Sequence, residues 1–145
     1  MAASPHGLKP HERIDAECAR RGKDAVVAGC VALLEGRETD GELIVALGGP
    51  AALWAVGAGV EGPRYWRRVW AARGLLWAWD DIALPAILTA LGDDAWRVRE
   101  MAAKVVARHG LGDALPVVAD LQNDPMARVR AAASRAVVLL TAAGA

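Results

Sequence analysis

Arg97, Glu100, Lys104 and Arg108 are spaced so that a helix would carry all four along one stripe. Shifted by 31 residues, the same spacing holds Arg128, Ala131, Arg135 and Leu139, and shifted back by 31 it holds Trp66, Val69, Arg73 and Trp77. Rows of guanidinium and ammonium groups suit carboxylates or phosphates, and indole rings beside them suit stacking or gripping a cation. Trp66, Arg73, Trp77, Arg97, Lys104, Arg108, Arg128 and Arg135 are therefore the candidate contacts for a partner. The spacing fits an acidic protein or peptide first and a nucleic-acid backbone second.

Other reactive residues make no comparable pattern. Cys18 and Cys30, with His6, His11 and His109 far apart, have neither zinc-site spacing nor a disulfide framework, and read as two reduced thiols. No Ser, Cys or His stands beside a partner that would activate it. The glycines of "GGPAALWAVGAG" lack the strand and the Lys of a phosphate-binding loop. "WAWDD" sets Trp77 and Trp79 beside Asp80 and Asp81, but Asp81 also reads as an N-cap before "IALPAIL". His109 falls at a core-periodic position where a helix C-terminus would favour it. No catalytic, cofactor or metal site is expected, and the chain reads as a non-enzyme.

The elements that must position these stripes come from a self-match. At an offset of 31 residues Pro85 falls on Pro116, Asp93 on Asp124, Val98-Arg99 on Val129-Arg130, Ala102 on Ala133 and Lys104 on Arg135. A fixed offset of this kind marks stacked repeats. Each unit reads as two helices: a first with Pro near its start and Gly or Asn followed by Asp at its end, then a second capped by that Asp. Val98, Met101, Ala102, Val105, Val106 and His109 form the core stripe of one second helix, and Val129, Ala132, Ala133, Ala136, Val137 and Leu140 that of the next.

The expected architecture is all-α, a right-handed α-solenoid of about four helix-pair repeats. Residues 1–22 form a tail and capping helix, and residues 23–145 form the repeats, in units of approximately 23–48, 49–79, 80–110 and 111–143. "GELIVAL", residues 41–47, is the one segment whose type stays open. The abundance of Ala fits close helix packing. Trp70, Trp54 and Trp96 are assigned to packing.

Of the 145 residues, 54% are hydrophobic, yet no apolar run reaches the roughly 18 residues of a membrane span, so no membrane contact is expected. The start lacks the apolar core of a secretory signal, which places the chain in the cytoplasm. Net charge is zero, with residues 1–61 three charges negative and residues 62–145 three positive. Val138 and Leu139 fall off the core stripe, so a homodimer through the C-terminal end is a side expectation.

Asp93, Val98, Arg99, Ala102 and Ala103, with Asp124, Pro125, Val129, Arg130 and Ala133, resemble the HEAT-like repeats of the short bacterial type. The resemblance spans roughly residues 50–141. It implies an α-solenoid that binds proteins on the face of its second helices, and an Arg ladder in which Arg68, Arg99 and Arg130 reach the Asp of an adjacent unit. The second unit departs from the pattern, with Gly62 at the Asp position and Arg67 at the Val position. A rotated helix there would turn Trp66 and Trp77 into the core. Two enzyme groups are similar in their repeats: alkylpurine DNA glycosylases, which combine Trp, Asp and Arg in a basic concavity, and bilin lyases, whose task needs a larger cavity than four short units enclose.

Overall fold

The computed structural model describes residues 7–52 and 64–143. Trp54, the first helix expected in the 49–79 unit, most of the glycine stretch after residue 48, Gly62 and residues 1–6 lie outside them. Among the described residues every regular element is helical. In order they are α1 (Pro10–Arg21), α2 (Lys23–Leu34), α3 (Gly41–Gly48), α4 (Tyr65–Gly74), α5 (Leu84–Ala90), α6 (Trp96–His109), α7 (Leu115–Leu121) and α8 (Ala127–Ala143). The chain divides into two compact halves, Met1–Ala83 and Leu84–Ala145.

In the N-terminal half α1 packs on α2 and α3, and α4 packs on α2 and α3. Ile14, Val26, Val27, Cys30, Leu43, Leu47 and Leu75 are fully buried between them. The open segment 41–47 is helical, because the Asp40 carboxylate accepts from the Leu43 amide and so caps α3. Gly49, at φ +79, ends that helix. At Gly48 a Cβ would lie 2.7 Å from the Trp70 indole, so this glycine lets α3 and α4 approach.

In the C-terminal half the 31-residue period is kept down to the turns. A short 3-10 turn at Gly112–Ala114 precedes α7 as the one at Asp81–Ala83, the last residues of the N-terminal half, precedes α5, and each helix has its Pro near the start. α5 packs on α6, α7 on α8, and α6 and α8 lie side by side. Most of each expected core stripe is inside: Val98, Ala102, Val105 and Val106 on α6 and Val129, Ala133 and Ala136 on α8 are fully buried, while Met101, His109 and Val137 are half-buried.

One expectation needs correction. Asp93 and Asp124 do not cap the second helices directly; each carboxylate accepts from the amide two residues on, Ala95 or Met126. This side-chain turn holds the chain for three residues before the helix starts at Trp96 or Ala127.

Candidate functional site

The ladder arginine has two jobs, visible at Arg99. Its Nη1 donates to the carbonyls of Asp93 and Asp94 at 2.8 and 3.1 Å, which closes the turn into its own helix. Its Nε and Nη2 donate to the two carboxylate oxygens of Asp124, one unit on, at 2.8 and 3.1 Å. Asp124 is buried, and the guanidinium beside it holds its carboxyl below the usual range. Arg130 repeats the first job on the carbonyls of Asp124 and Pro125.

The α6 and α8 stripes adjoin, but through a hub that spacing did not reveal. Glu100 is buried and accepts from Arg128 Nε at 2.9 Å, while Lys104 Nζ stands 3.7 Å away. The Arg97 and Arg128 guanidiniums lie 4.4 and 5.1 Å from the centre of the Trp96 ring, a contact worth about 0.5–1 kcal/mol each near a surface. Trp96, assigned to packing, thus also positions two candidate cations. Lys104, Arg108 and Arg135 are exposed. Five of the eight stripe positions are basic, and Glu100 is the one acidic position among them. An i, i+4 pair of Glu100 with Lys104, opposite a cation at the next unit's start, is the signal by which this hub could have been found.

The stripe assigned to α4 is different. The helix ends at Gly74, so Trp77 sits in the following turn, with its ring centre 6.0 Å from that of His11. Val69, placed on the open stripe, is buried. Arg73, also placed there, is half-buried, and its Nη2 donates to the Leu47 carbonyl at 2.8 Å, capping the end of α3. Trp66 is half-buried and stacks on buried Trp70, with centres 6.3 Å apart. The helix is not shifted, however: Ala71, Ala72, Gly74 and Leu75 are buried at the positions equivalent to Ala102, Ala103, Val105 and Val106.

The acid pair of "WAWDD" is engaged within its own turn. Asp81 accepts from the Trp79 indole at 3.1 Å, and Asp80 rather than Asp81 accepts the backbone amide of Ile82. Among the described residues no group of three or more His, Cys, Asp or Glu could hold a metal ion, and Cys18 and Cys30 are free thiols. No helix among them is long and apolar enough to cross a membrane.

Helix pairs repeated at one period, with a buried Arg–Asp rung between successive pairs, define a helix-pair repeat protein of the α-solenoid class. The family model for HEAT repeats matches residues 55–137, more than half of the chain, and the chain belongs to that family. Among curated proteins and solved structures, none matches it.

Proposed function

We propose that this chain is a non-enzymatic interaction module that binds an acidic segment of a partner protein on the face formed by α6 and α8. The observation that carries this reading is the composition of the two stripes: Arg97, Lys104, Arg108, Arg128 and Arg135 make five of their eight positions basic, and Glu100 is the one acidic position among the eight. Two of the cations are ordered over the Trp96 ring before any partner arrives, so less side-chain freedom is lost on binding. Membership of the HEAT repeat family supports a protein partner, since such repeats commonly mediate protein association.

The test is a pulldown from the native host's lysate with the wild type beside an Arg97→Glu, Arg108→Glu, Arg135→Glu variant. These changes leave both Glu100 pairs intact, so the helices stay registered. A protein held by the wild type and released by the variant, with capture weakening as salt is raised, is the expected result. The same proteins captured by both would refute the face, and nucleic acid captured in their place would replace the carboxylate partner by a phosphate one.

A further inference from the structure

The N-terminal half contains a cavity of about 370 Å³ between α1 and α3, with Leu8, Ala16, Val45 and Pro50 on its apolar walls and Arg13 among its polar ones. Arg13 is half-buried. Its Nε donates to the Ala46 carbonyl at 3.2 Å and its Nη1 to the Leu8 carbonyl at 2.9 Å, which leaves Nη2 without a hydrogen bond among the described residues. The guanidinium lies so close to Gly49 that a Cβ there would be 2.9 Å from Cζ. Gly49 is already required by its φ of +79 at the end of α3, and its missing side chain leaves room for this guanidinium.

Charge around this end of α3 does not balance. Arg73 reaches the same helix end through the Leu47 carbonyl, and its Nε is buried with no partner. Neither arginine pairs with a carboxylate among the described residues, whereas Arg20, Arg21, Arg37, Arg99 and Arg128 all do. Burial works against the charged form of both, and for Arg73 the charge of Arg13 adds to the effect. The C-terminus of α3 offers only about half a negative charge against two cations. Glu17 and Glu42 also line the cavity, but Arg20 holds both and Arg21 holds Glu17 as well, one or two turns further along α1.

We propose that this cavity binds a small amphiphilic carboxylate, its apolar body between α1 and α3 and its carboxylate on Arg13. A volume of 370 Å³ falls within the range of small-molecule sites and is more than twice the roughly 150 Å³ that encloses benzene, so a body of about eight carbons fits. Two of the five guanidinium N–H donors are held by the Ala46 and Leu8 carbonyls and both on Nη2 are left for the anion, which is why a neutral or cationic ligand of the same length binds less well.

Calorimetric titration of the whole chain with octanoate, octanol and octylamine tests this. Octanoate should bind at one site with Kd below about 1 mM, and octanol and octylamine at least about tenfold more weakly. Arg13→Gln should lower octanoate affinity about tenfold or more. Because Arg13 also ties α1 to α3, a second variant, Ala16→Phe, fills the cavity from an exposed helix position and removes no hydrogen bond; it should abolish octanoate binding without lowering the melting temperature. Octanol binding as well as octanoate, unchanged affinity in Ala16→Phe, or no octanoate binding to the wild type would each overturn the proposal.

Discussion

Arg99→Ala should lower the unfolding free energy by about 3 kcal/mol and Arg130→Ala by about 1 kcal/mol, because the two side chains share one job and differ in the other. Both donate Nη1 to the carbonyls six and five residues before them, at 2.7–3.1 Å. Arg99 alone also grips Asp124 with two bonds, and Asp124 is 4% exposed at its side chain. Without Arg99 that carboxylate keeps the Met126 amide and the nearby charge of Arg130, and breaking a buried pair from one side costs about 3–5 kcal/mol when desolvation is complete. Arg99 is 16% exposed, which argues for the lower end of that range. Urea unfolding of Arg99→Ala, Asp124→Ala and the double variant isolates the rung, with a coupling energy of about 2 kcal/mol expected. Equal costs for Arg99→Ala and Arg130→Ala, with coupling under about 0.5 kcal/mol, would show that the rung aligns the repeats without stabilising them.

Acid should weaken the fold through the same kind of pair. Asp124 is held low by Arg99, and Asp40 is held down to about 2 by Arg21, so their contribution is complete above the unfolded carboxylate value near 4 and is lost as pH falls towards 2. The urea midpoint should fall across that window, and less steeply in Arg21→Gln; a midpoint that rises on acidification contradicts the assignment. Gly48→Ala should cost about 1–3 kcal/mol despite better helix propensity, since its Cβ would meet the buried Trp70 ring at 2.7 Å; a gain in melting temperature would be inconsistent with that packing. Burial pushes the Cys30 thiol up to about 12, so in native protein at pH 8 it should resist alkylation, as read by mass spectrometry of labelled peptides, until the chain unfolds. Arg73→Glu should destabilise by about 2 kcal/mol or more, because it sets a carboxylate against the carbonyl end of α3, while Arg135→Glu should stay within about 0.5 kcal/mol. Matching melting curves for these two variants would mean that Arg73 is not a cap.

The repeat was legible because its period is written twice over, in apolar positions and in polar ones. Val98 and Val129 are both fully buried, and Arg99 and Arg130 bond carbonyls at the same offsets. Helix starts were less legible. An Asp before an apolar-periodic run supports either a direct cap or a side-chain turn that delays the helix, and the two differ by only a few residues of backbone geometry. The end of α4 was missed for a related reason: Leu75, Leu76 and Trp77 continue the apolar character past Gly74, yet the chain leaves the helix in a turn whose amides bond Arg73 and Gly74 carbonyls.

The binding stripe was only partly legible, because a repeat position has an environment set by its neighbours as well as by its own helix. Residues 73, 104 and 135 are equivalent by the period. Arg73 meets the carbonyl end of α3 and becomes a half-buried cap; Lys104 meets Glu100 and becomes half of an ion pair; Arg135 stays exposed. Spacing places all three on the same side of their helices, but it does not say whether a carbonyl, a carboxylate or solvent lies opposite. The same holds for Glu100, whose role depends on Arg128, 28 residues away on a helix packed alongside. A cation that already holds a buried carboxylate has less to offer an incoming one, so on this face exposed Arg135 carries more of the proposed recognition than Lys104 and Arg128, which are bound to the hub.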